Sequence, residues 1–471
     1  METCKYTEIK CKYDINWKYF FKQLFVCCGA WSFFFIIGLN LGAPTVYIPQ
    51  LRKETAVSDE MASWLCSSSG FSAIPSLFII TFLSKHYGRK TIFIIGNFNL
   101  LISLFIFYFS TTPTQILISH ITSGFGYAAC FSNNILIVAE YIHPKYRGVF
   151  LAVKSTSVVS GVWAANAIGT FLNWRVIPIF GLVLSFFAFT SFFWPESPYW
   201  LANKGKFDEC KKSYIWLNGS NDEVFKEIDF LIQFEKQSLN FKFDLNIIVK
   251  EEFYKPILIS FLLMIQYHFS GKFIFSIYAL DIIKKITDSE STAYIGMLIL
   301  DGITVFGMYF GCFLAKILKR RTLYLWASVI GIFFLFSISL YLFLCEKSLV
   351  RENKFVSILL LASFSVSISC GPMILSTSIY GEILPSRFKS LGVILTALLF
   401  YLLLSTMLKI APVIFKYIGL DGAFLFYGIT SGLCCLLLVK YLPETKDKTL
   451  QEIEELFKRK ERVIELEKLQ I

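Results

Sequence analysis

The chain has 471 residues, of which 55% are hydrophobic, 17% aromatic and 17% charged, with a formal net charge of +11. Soluble globular chains carry roughly 25% charged residues, so a deficit spread along the whole length excludes a row of ordinary soluble domains and points to a polytopic membrane protein. The basic excess sits in short stretches between apolar runs, without the basic–aromatic interleaving of a nucleic-acid binder; beside a bilayer such clusters set orientation.

From the N-terminus, Met1 to Lys22 is lysine-rich and lacks the apolar core of a signal peptide. The first long apolar run begins near Leu24 and reads as an uncleaved signal-anchor. About 20 apolar residues cross the hydrocarbon core as a helix, and lipid offers backbone groups no partner outside the helix. The pattern predicts twelve spans, at 26–48, 62–84, 91–110, 114–138, 150–172, 176–194, 255–280, 292–315, 322–345, 355–380, 391–415 and 422–441. The expected fold is an all-α membrane protein with two pseudo-symmetric six-helix bundles, 26–194 and 255–441. A polar linker, 195–254, separates them, flanked by segments 1–25 and 442–471. The tail reads as a surface helix from Thr449, with Leu450, Ile453 and Leu456 on one face.

Orientation follows from Lys and Arg. One side holds Lys85, Arg89 and Lys90, then Lys145, Arg147 and Lys154, then Lys316, Lys319, Arg320 and Arg321, then Arg387 and Lys389. With the basic N-terminus and the linker on that side, both termini are expected in the cytoplasm of a multi-pass cell-membrane protein. Asn218-Gly219-Ser220 fits the glycosylation pattern but lies on the cytoplasmic side, so it is expected unmodified. Of the twelve cysteines, Cys130, Cys312, Cys370, Cys434 and Cys435 fall inside apolar runs as small hydrophobes. No CxxC pair has metal spacing, and neither a metal nor a cofactor is expected.

The halves repeat one another. Gly88-Arg89-Lys90 after the second span is matched by Lys319-Arg320-Arg321 after the eighth. Glu140 to Gly148 at the end of the fourth span is matched by Glu382 to Lys389 at the end of the tenth. Pro195-Glu196-Ser197-Pro198 closes one half, Pro443-Glu444-Thr445-Lys446 the other. Three paired motifs at matching positions indicate internal duplication. In these motifs, and in Asp59-Glu60, Ser63-Trp64 and Gly381 to Pro385, the chain resembles the sugar porters of the major facilitator superfamily, most of all the insect facilitated trehalose transporters. The resemblance implies two six-helix bundles around a central cavity that opens alternately to each side. It implies a small sugar as substrate, a lipid bilayer as surroundings and function as a monomer.

The repeated charges read as a latch between the bundles. Carboxylates Glu140, Glu196, Glu382 and Glu444 face Arg89, Arg147, Arg320, Arg321 and Arg387, whose planar forks suit bidentate pairing. Against the family pattern, Lys85 and Lys316 replace acidic residues, Lys319 replaces a glycine and Lys389 an arginine.

A sugar site needs hydrogen-bonding side chains and aromatic faces in a buried pocket. The seventh span reads Gln266-Tyr267-His268-Phe269-Ser270-Gly271-Lys272-Phe273 where the family carries a Gln-Gln-x-Ser-Gly-x-Asn run. Ser270 and Gly271 align, Tyr267 and His268 replace the glutamines, and Tyr278 matches a later tyrosine. Ser155 stands at a usual Gln, Thr377 at a usual Trp, and Phe400-Tyr401 at an Asn-Trp pair. Gln266, Tyr267, His268, Ser270, Tyr278, Ser155, Thr377 and Tyr401 are the expected substrate contacts, with Asn166 a further polar candidate.

Lys272 and Asp301 are charges inside spans, expensive there and expected to pair. Trp31 to Gln50 holds no Asp or Glu, so the usual carrier of proton coupling in the first helix is missing. Facilitated diffusion of trehalose or a hexose is the expected function. The alternatives are a proton-coupled symporter using Asp301 or His268, and a receptor that binds sugar without moving it. No nucleophile elbow, phosphate loop or metal cluster suggests an enzyme.

Overall fold

A computed structural model describes residues 17–239, 251–287, 290–351, 353–384, 389–446, 448, 452–453 and 456–457. Within them the chain is helical and has no strand. The first half comprises α1 (Trp17–Glu54), α2 (Asp59–Tyr87), α3 (Arg89–Phe109), α4 (Pro113–Ala129), α5 (Ile135–Tyr141), α6 (Pro144–Phe171) and α7 (Val176–Ala188). Helices α8 (Pro198–Asn203), α9 (Phe207–Asn218) and α10 (Asp222–Leu239) follow. The second half comprises α11 (Glu251–Phe269), α12 (Lys272–Ile277), α13 (Ala279–Thr287), α14 (Glu290–Ile317), α15 (Arg320–Glu346), α16 (Lys354–Ile368), α17 (Ile374–Ile383), α18 (Lys389–Tyr417) and α19 (Gly419–Tyr441).

Several of these helices are segments of one rod. A π-turn at Cys130–Asn134 joins α4 to α5, and a second at Ser369–Met373 joins α16 to α17. Each lies in the fourth rod of its half, so even the irregularity is repeated; π-turns of this kind concentrate at functional sites. Helices α11 and α12 break at Gly271, whose φ of +74° is left-handed. Counted as rods, the described chain has six and six. Eleven are long and apolar enough to cross a membrane by composition; α6 is the twelfth and most polar.

The outward faces carry large apolar side chains such as Phe82, Phe109, Val183, Phe306, Trp326 and Phe333. In water that surface would drive aggregation; in a bilayer it is the lipid contact. Inside, small residues let backbones approach. A Cβ on Gly38 of α1 would stand 2.0 Å from the Val158 carbonyl oxygen of α6, and one on Gly161 would stand 2.2 Å from that of Phe35. Helix α1 therefore lies flush on α6, while α4 packs on α2 and α3. In the second half α15 packs on α16 and α19. The halves meet where α2 lies on α18, α6 on α14 and α17, and α1 on α12 and α13.

Helices α8 to α10 share a small core of their own, including Leu201, Cys210, Tyr214, Ile228 and Leu231. Gln23 of α1 pins it, donating to the Leu217 carbonyl at 3.2 Å and the Asn218 side chain at 3.0 Å. In the tail, Ile453 and Phe457 are buried while Leu456 is exposed. The packing face there is thus set by an i, i+4 pair rather than by the expected Ile453–Leu456 stripe; Leu450 lies outside the described residues.

Candidate functional site

Two charge nodes sit on the face where α2 turns into α3 and α14 into α15. In the first, Glu196 accepts from the backbone N–H groups of Arg89 at 2.8 Å, Lys90 at 3.1 Å and Ser197 at 2.8 Å. Its carboxylate thereby caps α3, where free N–H groups and the helix dipole favour a negative charge. Gly88 makes room: its φ is +99°, and a Cβ there would stand 2.2 Å from Glu196 Oε2. Burial pushes the Glu196 carboxyl above its ordinary range, against the pull of those three donors, and the Glu140 charge adds to the rise. The Arg89 guanidinium lies 3.3 Å from Glu140 Oε1 and donates from Nη1 to Ser84 Oγ at 2.6 Å. Ser84 in turn donates to Asn133 in the π-turn at 3.0 Å, and Asn133 donates to the Arg89 carbonyl at 2.9 Å.

The second node repeats the first. Glu444 accepts from the backbone N–H groups of Arg320 at 3.1 Å and Arg321 at 3.2 Å, and so caps α15. The Arg320 guanidinium pairs with Glu382, and Arg321 donates to the Val439 carbonyl at 2.6 Å. These pairs differ from the sequence expectation in one respect. Arg89–Glu140 and Arg320–Glu382 each close within one half, whereas pairs across the halves were expected. The reason is geometric: each glutamate ends the fourth rod of the same half whose third rod begins with the arginine. The side chain of Arg147 and all of Arg387 lie outside the described set.

Between the halves, aromatic residues from both converge. The His268 ring meets Phe400 edge-on at 4.7 Å and Tyr267 at 5.1 Å. Phe131 of the first π-turn lies 4.9 Å from Phe400 and stacks on Tyr380 at 6.0 Å. The Tyr401 hydroxyl donates to the Tyr127 carbonyl at 2.5 Å, and Ser155 Oγ meets Thr377 Oγ1 at 3.2 Å; both contacts join the halves. Gln266 donates to Ser431 at 2.8 Å, but its Oε1 is buried without a partner among the described residues, as are His268 Nε2 and the Tyr380 and Tyr427 hydroxyls. Buried polar atoms are seldom left unpaired, so each of these four is able to take a further hydrogen bond. Of the expected contacts, Tyr267 and His268 come together here with Phe400, while Gln266 is bonded to Ser431 of α19. Ser270 instead bonds back to the Tyr267 carbonyl at 2.8 Å, and Tyr278 lies apart, donating to the Leu408 carbonyl at 3.1 Å.

Three charged side chains are buried among the described residues: Lys154, Lys272 and Asp301. The Asp301 carboxylate accepts from Asn166 at 2.6 Å and Ser276 at 2.8 Å. Lys272 is within electrostatic reach but makes no direct ion pair with it among the described contacts. The sequence reading placed Lys154 with the basic loop residues. The structure corrects this: Lys154 is 6% exposed on α6, its ammonium 5.6 Å over the Phe34 ring. The available signal was its place inside the run that begins at Val149. Lys409 was missed as well. It reaches from α18 to α2, donating to Ser63 Oγ at 2.9 Å and lying 4.0 Å over the Trp64 ring.

A family model described as "Sugar (and other) transporter" matches residues 31–457. The facilitated trehalose transporter of Apis mellifera ligustica is 23% identical over 433 residues, covering 90% of this chain and 85% of that protein. The arabinose-proton symporter of Bacillus subtilis (strain 168) is 23% identical over 450 residues, covering 92% and 95%. Among solved structures, the proton:xylose symporter XylE bound to 6-bromo-6-deoxy-D-glucose superposes with a TM-score of 0.74 at 18% identity, over 93% of this chain and 99% of that one. The inward open conformation of the xylose transporter XylE from E. coli superposes with a TM-score of 0.71 at 17% identity, over 93% and 99%.

Proposed function

Because the chain belongs to the sugar transporter family, we propose that it is a facilitative carrier of a small sugar, trehalose or a hexose, working by alternating access. The observation that supports this most is that one family model spans both halves of a twelve-rod helical chain. Each half moves as a braced body. Glu196 with Arg89 and Glu140, and Glu444 with Arg320 and Glu382, tie the third and fourth rods of each half together, so rocking does not shear them. These nodes are the proposed gating elements; they sit on the cytoplasmic side, with the linker, both termini and the Arg147 and Arg387 loops.

The sugar site is proposed among Gln266, Tyr267, His268 and Phe400, with Ser155, Thr377 and Tyr401 as further contacts and Tyr380 and Tyr427 supplying hydroxyls. Sugars present alternating hydroxyl edges and C–H faces, which suits orphaned polar atoms set between aromatic rings. Transport is proposed to be uncoupled, since α1 carries no acid from Trp31 to Gln50. Uptake of labelled trehalose, glucose and fructose into proteoliposomes tests the reading, with external pH varied at fixed sugar. Saturable uptake that stops at equilibrium and is flat with pH supports a facilitative carrier. Accumulation driven by a proton gradient would exclude it.

A further inference from the structure

Among the described residues the buried charges do not balance: two lysines stand against one aspartate. Asp301 is committed to Asn166 and Ser276 and has the Lys272 charge within reach. Lys154 has no such partner. Its ammonium makes no hydrogen bond or ion pair among the described residues; it lies 5.6 Å over the Phe34 ring and within electrostatic reach of Cys130.

Burial sets Lys154 apart from the solvated loop lysines: it is 6% exposed, the eleventh residue of α6 and the fifth of the expected span 150–172, about 6 Å along it at 1.5 Å per residue. Asn166, and with it Asp301, lies a further twelve residues along, about 18 Å away. No acid of the described chain is buried at the depth of Lys154. That depth is where the halves meet: Ser155, the next residue, faces Thr377 across the interface, and Cys130 borders the Tyr401 cluster.

A buried ammonium without a counter-charge is costly: it either gives up its proton or is paired by an anion brought to it. We propose that Lys154 recognises an anionic group on the transported solute, so that the carrier takes an acidic sugar, bearing a carboxylate or a phosphate, in preference to a neutral one. The inference rests on the carrier reading and narrows its substrate class. It also links binding to closure. The unloaded occluded state keeps an unpaired cation, and the loaded one pairs it, so the solute favours the occluded state by its differential interaction.

The test uses the purified full chain in proteoliposomes, with labelled glucuronate, glucose 6-phosphate and glucose at equal concentration. Glucuronate or glucose 6-phosphate is expected to enter about tenfold faster than glucose, the factor of one charge-assisted hydrogen bond, and the two anions separate carboxylate from phosphate recognition. Moving an uncompensated anion carries current, so an inside-positive potential is expected to speed anion uptake and leave glucose uptake unaffected. Lys154→Gln is expected to lower the anion-to-glucose ratio about tenfold, and Lys154→Arg to keep it above that of glucose. If glucose enters while neither anion is carried or competes, the proposal is overturned. The same holds if Lys154→Gln leaves the ratio unchanged. If Lys154→Gln does not fold, the wild-type comparison and its voltage dependence decide alone. If no solute moves at all, it is the carrier reading that fails. Thermal stabilisation of the detergent-solubilised wild-type protein by glucuronate or glucose 6-phosphate, lost in Lys154→Gln, then upholds the anion site, and no stabilisation overturns it.

Discussion

Asn166 donates to Asp301 at 2.6 Å, and the bond joins the two halves inside the membrane: Asn166 belongs to α6 and Asp301 to α14. Both are buried, and Ser276 of α12 completes the carboxylate's shell. The broken seventh rod, the eighth rod and the first half are thereby tied at one point.

Removing Asn166 leaves a buried carboxylate short of a donor. Asn166→Ala is expected to cost about 2–3 kcal/mol, in line with hydrogen bonds to charged groups, read as a lowered midpoint of thermal unfolding in detergent. Asp301→Asn leaves Lys272 without its nearby charge and is expected to destabilise further. The double variant Lys272→Gln/Asp301→Asn is expected to recover part of that loss, because the stranded cation is gone. A double variant no better than the worse single one would refute electrostatic coupling between the two.

The Arg89–Glu140 and Arg320–Glu382 pairs lie within halves, and exchange of charges distinguishes this from a latch between halves. Arg89→Glu with Glu140→Arg is expected to restore folded yield and uptake above either single variant. Arg89→Glu with Glu382→Arg is expected to be no better than the worse single variant. Recovery by the second combination alone would place the working contact between the halves.

Gly88 and Gly205 separate backbone strain from steric displacement. Both have positive φ, +99° and +75°, but a Cβ meets Glu196 at Gly88 and nothing within 4 Å at Gly205. Gly205→Ala is expected to cost about 1 kcal/mol. Gly88→Ala is expected to cost more, because the Glu196 carboxylate must also leave its three N–H donors. Unfolding midpoints of the two variants compare them directly.

Glu196 also gives a pH signature. Its carboxyl is raised by burial, so the folded state holds the proton more tightly than the unfolded state. The contribution of this group to stability is therefore greatest below the ordinary carboxylate range and falls as pH rises through the raised value. Glu196→Gln is expected to flatten that fall, which lies above the ordinary carboxylate range, in thermal unfolding scans.

Lys409 ties α18 to α2 across the halves, on the face opposite the charge nodes. A partly exposed cation–π contact contributes about 0.5–1 kcal/mol. Lys409→Met, which keeps the apolar stem, is expected to change the rate of equilibrium exchange of sugar about two- to fivefold. An unchanged exchange rate would mean that the tie holds equally in every state of the cycle.

The twelve spans, the duplication and the family resemblance were legible in the residues alone. Apolar length and hydrogen-bond necessity in lipid act locally, and the paired motifs repeat in linear order. The capping of α3 and α15 by Glu196 and Glu444, more than a hundred residues away, was only half legible. The sequence marked the residues but not which donors they meet, and it assigned to the space between bundles two pairs that close within them. Lys154 was misplaced because periodicity counts charges along the chain and does not tell which side of a helix faces a neighbour. What the sequence determined by itself is the helical membrane scaffold, through composition and repetition. What only the tertiary structure decided is the partner of each buried polar group: Asn166 for Asp301, Tyr127 for Tyr401, and, among the described residues, no partner for Lys154. Such pairings depend on how rods from distant parts of the chain pack, and no local pattern encodes that.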